Sequence, residues 1–297
     1  MINLLRGNAL PALAAAVLWG GGDFSGGMGV MTAGGGVRAA LRVVLLSHAM
    51  SFTVLVAIAR LRGDAFPHGA LLAWGIGAGV AGGLSLTAFY LALSRGAMGS
   101  SAAVSGLLAA AIPAAVTLWM DGSPGMGALA GFVLAGAAIW LIAAAPLGEP
   151  VDVPNTSRRL TMALAVLAGV GFGIYFVALK MAGPAGVVWP MATARMGSLS
   201  VCSLMLLGLS VRGGAPRITL GRRIAGWAMA TALLDTSGNL LFLSATRAGR
   251  LDVAAVLASL YPASTILLAA LALGERPTQR QALGMAAAVA AVALIAL

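Results

Sequence analysis

Trp19 and Asp23 stand four residues apart in LWGGGDFSGG, so a helix places them on one face. Five glycines surround them inside an apolar run. A carboxylate near a bilayer centre costs roughly 2.5–3.5 kcal/mol. Asp23 must therefore line a polar cavity, pair with a base such as Arg38 or Arg42, cap a broken helix, or be neutral. A cavity-facing tryptophan would contact an apolar side chain while the carboxylate took an α-amino group; otherwise Trp19 belongs to the interfacial aromatic belt. Gly22 and Gly26 form a small-xxx-small pair that admits a neighbouring helix. The triple glycine at 20–22 would also soften the helix.

A second pair at helical spacing, Asp235 and Asn239, lies in LLDTSGNLLF beside Thr236 and Ser237. It reads as a pathway lining or as a buried hydrogen-bond network joining helices. Tyr90, Tyr175 and Tyr261 are the three tyrosines. Tyr175 follows Gly171 and Gly173, and Tyr261 precedes Pro262, whose ring frees the carbonyl four residues back. Tyr90 reads as cavity residue or interfacial anchor. Ser105 shares a face with Ser101, where serines bond their own backbone or a ligand. The substrate-binding candidates are thus Trp19, Asp23, Tyr90, Ser105, Tyr175, Asp235, Asn239 and Tyr261. His48, in the middle of an apolar run, is expected as a neutral ring bonding a backbone carbonyl, with proton relay the sharper alternative. Lys180, Arg195 and Arg42 fall near expected helix ends and should snorkel.

Such polar residues need apolar spans to hold them. The 297 residues are 60% hydrophobic and 9% charged, far below the roughly one-quarter charged of a soluble domain. Ten windows fit membrane helices: 9–30, 38–60, 69–93, 97–119, 124–146, 160–182, 187–211, 224–246, 251–273 and 279–297. The first, Ala9 to Val30, is too long for a signal-peptide core. The longest polar connection runs from Pro146 to Arg159 and divides the chain into 1–147, a linker at 148–159, and 160–297.

The halves repeat. Leu13–Gly20 parallels Met162–Gly169, Ala40–Val43 parallels Thr193–Met196, Leu61–Gly63 parallels Val211–Gly213, and the Arg95 turn parallels the Arg247 turn, at offsets of 149 to 153 residues. Five spans per half invert the second half across the membrane. The fold class expected is an all-α integral membrane protein with ten transmembrane helices, arranged as two inverted five-helix repeats around a central cavity. Spans one, three, four, six, eight and nine should line that cavity. Spans five and ten should lie at the periphery, pairing the halves or meeting a second copy.

Several motifs carry a resemblance: Leu18-Trp19-Gly20, Arg42, the FYLALSRG end of the third span, Arg195, Tyr261-Pro262, and Leu273-Gly274-Glu275-Arg276. The chain resembles the EamA-type branch of the drug/metabolite transporter superfamily, and within it the bacterial amino-acid exporters of the aromatic type. That resemblance implies export of aromatic and other apolar amino acids, or similar small metabolites, by alternating access across a bacterial cytoplasmic membrane. The first half departs from the family pattern at Trp119–Pro124, and the sixth span has no tryptophan matching Trp19.

Other classes fit less well. A multidrug or other metabolite exporter of the same fold is the alternative, and an intramembrane enzyme is the rival from another class. The eight acidic residues show no metal-like spacing within a helix, two distant histidines make no zinc site, and no phosphate loop occurs. No catalytic residue, metal or cofactor is expected. The 17 Arg and single Lys are scattered through short loops, which argues for lipid rather than nucleic acid as partner. Cys202 is alone, so no internal disulfide forms. The protein is expected as a monomer or homodimer. Charge bias places the termini outside, whereas the resemblance implies cytoplasmic termini, which we adopt.

Overall fold

A computed structural model describes residues 7–95, 98–143, 155–213, 221–273 and 278–296. Eleven α-helices occupy them: α1 (Ala9–Thr32), α2 (Gly36–Leu61), α3 (Gly69–Leu93), α4 (Met98–Asp121), α5 (Met126–Ala143), α6 (Asn155–Ala182), α7 (Val188–Gly213), α8 (Arg222–Ala248), α9 (Leu251–Ala258), α10 (Tyr261–Leu273) and α11 (Gln279–Ala296). Nine of the ten expected spans are single helices. The ninth is broken into α9 and α10.

The break follows from Pro262. Its ring removes a donor and crowds the carbonyl of Ala258, so the helix stops there and restarts at Tyr261. The freed turn is not open. A Cβ on Gly106 of α4 would come 2.9 Å from the Ser259 carbonyl and 3.2 Å from Pro262 Cγ. The glycine run after α1 works differently: Gly34, Gly35 and Gly36 take φ of 88°, 74° and 80°, a region that lets the chain reverse at once into α2. The Leu-Gly-Glu-Arg turn, beyond Leu273, and residues 148–154 of the linker lie outside the described residues.

Among the described residues, six segments are long and apolar enough to cross a membrane. They fall in α2, α3, α4, α6, α7 and the α9–α10 pair. Neither α1 nor α8 is among them; these two bring Asp23 and Asp235, both of which are buried.

Helix partners reveal the repeat. α1 packs on α8, and α3 packs on α6. Exchanging the halves turns one of these pairs into the other. The same exchange maps α4·α6 onto α1·(α9, α10) and leaves α2·α7 and α5·α11 unchanged. That is the signature of an inverted two-fold. α5 and α11 form the expected peripheral pair: a Cβ on Gly284 would meet Ile142 Cγ1 at 2.7 Å.

The face at the start of α1 is fastened by polar ties between the halves. Asn8 Nδ2 donates to the Arg250 carbonyl at 2.9 Å, Arg250 Nη2 to the Gly122 carbonyl at 2.7 Å, and Trp189 Nε1 to the Asp64 carbonyl at 2.8 Å. Within the second half, Lys180 donates to the Thr246 carbonyl and Arg247 to that of Gly183.

Candidate functional site

Six of the eight candidates from the sequence line one central cavity: Trp19, Asp23, Tyr175, Asp235, Asn239 and Tyr261. Its volume is about 40 Å³, room for roughly three water molecules. Tyr90 and Ser105 are buried beside the cavity rather than in its wall. The Tyr90 ring covers Gly26.

The glycines of α1 are contact points. A Cβ on Gly20 would strike α10 at Ser264, and one on Gly22 would come 3.3 Å from the Asp235 amide nitrogen. Gly26 receives the Tyr90 ring. Close packing is therefore what the small-xxx-small spacing does, and it brings Asp23 beside α8.

Trp19 is 6% exposed and far from an interfacial belt. It stacks on Phe176 at 5.1 Å and 7°, and Phe242 closes the cluster at 5.3 Å from Trp19 and 4.6 Å from Phe176. Its Nε1 is buried without a hydrogen-bond partner, as are the hydroxyls of Tyr90 and Tyr261. Asp23 is 8% exposed in mid-helix, so it caps nothing, and no ion pair to Arg38 forms. Arg38 instead donates to the Leu209 carbonyl at 2.7 Å.

Arg195 corrects the sequence reading. It does not snorkel. Only 3% exposed, it lies in the cavity wall, with Nη2 2.5 Å from Asp235 Oδ2 and 3.4 Å from Thr236 Oγ1. Nη1 lies 2.8 Å from His48 Nε2. His48 bonds no backbone carbonyl through its ring; Nδ1 lies 2.5 Å from Ser198 Oγ. Asn239 Nδ2 donates to Asp235 Oδ1 at 2.9 Å, and the Tyr175 hydroxyl donates to Asn239 Oδ1 at 2.7 Å. One network thus runs Ser198–His48–Arg195–Asp235–Asn239–Tyr175. The Asp235 cluster lines the cavity and also joins helices. Ser237 is exposed and points away.

The lining helices differ from expectation as well. α2 and α7 contribute His48, Ala194, Arg195 and Ser198, whereas α4 contributes none of the lining residues. α3 supplies Gly79, Gly82, Gly83 and Leu86. Its glycines mark a seam that the sequence reading missed although the spacing was visible: Gly75, Gly79 and Gly83 recur every fourth residue. A Cβ on Gly79 would strike the Ala194 carbonyl, one on Gly75 would strike Thr193, and one on Gly197 of α7 would strike the Ile76 carbonyl. α3 and α7 therefore meet backbone to backbone.

This architecture has a known counterpart. The sequence of residues 159–297 matches the family model described as EamA-like transporter family. The second half of the chain is thus similar to that family. A solved structure, described as the crystal structure of a protein, superposes at a TM-score of 0.68 with 16% identity, covering 97% of this chain and 95% of its own. At that identity the likeness is one of fold. No curated protein matches the sequence.

Proposed function

We propose that this EamA-like transporter exports amino acids with aromatic or other apolar side chains, or closely similar small amines, by alternating access. The observation that carries the reading is Asp23: a buried carboxylate with no basic partner among the described residues, on the same helix face as Trp19 and the Trp19–Phe176–Phe242 cluster. Arg195 is engaged by Asp235, so an ammonium group is the natural partner for Asp23. The aromatic wall suits an apolar side chain, and the unpartnered donors of Trp19 and Tyr261 suit a carboxylate or carbonyl.

With about 40 Å³ of free space the cavity admits no amino acid, so loading requires the halves 1–147 and 160–297 to move apart. The ties at Asn8, Arg250 and Trp189 keep the face at the start of α1 shut in this state. We place the protein in a bacterial cytoplasmic membrane, with its termini inside. The test is efflux of a labelled amino-acid mixture from liposomes holding the purified protein. Saturable efflux that Asp23→Asn abolishes supports the reading. Folded protein that moves no amino acid sinks it and turns attention to organic cations.

A further inference from the structure

Arginine has donors and no acceptor. The contact from Arg195 Nη1 therefore fixes His48 Nε2 as an acceptor, at 2.8 Å. The single ring proton of His48 then sits on Nδ1, aimed at Ser198 Oγ at 2.5 Å, and Ser198 donates onward to the Arg195 carbonyl at 3.2 Å. His48 is neutral in this arrangement. A second proton has one place to bind, the Nε2 lone pair, and Arg195 is using it. Protonation of His48 and the His48–Arg195 bond exclude each other.

The surrounding charges give that exclusion a purpose. α1 presents Asp23, α8 presents Asp235, and α7 presents Arg195 and the Cys202 thiol. α3 adds Tyr90, and α6 adds Tyr175. With both carboxylates ionised, Arg195 charged and His48 neutral, the cavity holds one uncompensated negative charge. A substrate ammonium or a proton on His48 would each neutralise it, and two cations together would overfill it. A ligand drives a conformational change only by binding one state better than the other. A lone pair free in one state and occupied by Arg195 in the other meets that condition.

We propose that His48 carries the proton that exchanges for substrate. Nε2 takes a proton from water on one side, an N–H bond forms, Arg195 lets go, and the proton returns to water on the other side once substrate ammonium or Arg195 reclaims the site. No electrons move. This inference rests on the central cavity being the transport path.

His48 and His68 are the only two histidines. His68 is exposed on the α2–α3 connection, so His68→Gln leaves one imidazole to observe without touching the cavity. Nitrogen NMR of this variant, with labelled histidine, should show the Nδ1–H tautomer at high pH and an imidazolium forming as the pH falls. Saturating L-phenylalanine should weaken that proton affinity about tenfold. In liposomes, an opposing proton gradient should raise wild-type L-phenylalanine flux about tenfold over the gradient-free rate, and His48→Gln, which keeps an acceptor for Arg195 but holds no extra proton, should bring that ratio to one.

A His48 that stays neutral down to about pH 4, well below the usual imidazole range, overturns the proposal. So does His48→Gln with an undiminished ratio, or wild-type exchange indifferent to the gradient; the last leaves the transport reading intact. Absence of L-phenylalanine flux with a titrating His48 supports the proton site and removes only phenylalanine as cargo.

Discussion

The indole of Trp19 rests directly on Gly238 of α8. A methyl group there would come 2.7 Å from Cδ1 and 2.8 Å from Nε1. The helix that carries Asp235 thus also holds the ring flat against Phe176. Gly238→Ala should cost about 1–3 kcal/mol through overpacking and tilt the indole out of its stack. We expect a lower melting temperature and a raised KM for aromatic amino acids in liposome uptake, with alanine uptake less affected.

Asp23 and Asp235 should answer to mutation in opposite ways. Asp23 has no basic partner among the described residues, so Asp23→Asn strands no opposite charge. Thermal stability should hold or rise. Substrate binding should still fall, by about 10- to 100-fold, as expected on losing a charged hydrogen bond of about 1.5–3 kcal/mol. Isothermal titration against L-phenylalanine checks the second half, and a melting curve the first.

Asp235 is paired. Asp235→Asn or Arg195→Met leaves the other charge buried alone, and each should destabilise the fold by about 3–5 kcal/mol. The double variant Arg195→Met with Asp235→Leu should regain most of that loss and remain inactive. A double variant that melts no higher than either single would show that the pair is not the source of the cost.

The seam between α3 and α7 is another place where one atom decides. Gly79→Ala drives a methyl into the Ala194 carbonyl, and Gly197→Ala drives one into that of Ile76. Neither obstacle can rotate away, since both are main chain. Each variant should lose about 1–3 kcal/mol, and the pair should lose less than the sum, because separating the helices once relieves both clashes. Detergent melts of the singles and the double measure this directly.

The sequence made much of this legible. Apolar windows located nine spans within a few residues because hydropathy marks what faces lipid. The α9–α10 break falls at Pro262, inside a window that hydropathy alone reads as one span. The paired polar residues of α8 and the Trp19–Asp23 face were readable because helical spacing alone puts such residues together.

Arg195 was not readable. Seven residues beyond Val188, it sits close enough to a helix end for snorkelling, and only the fold brings it to Asp235, 40 residues on. His48 failed for the same reason. Its partners come from α7, and no local pattern names a partner on another helix. The glycines at 75, 79 and 83 were a different failure, since their spacing was plain and was simply not read.

Three of the four residues that α3 gives the cavity are glycines, pressed from outside by α7 or, at Gly82, by the Tyr175 ring. That wall offers a solute bare peptide and has no room to grow a side chain. On the proposed function, side-chain discrimination among cargoes falls to Leu86 and to the surfaces of α1, α2, α6, α7, α8 and α10.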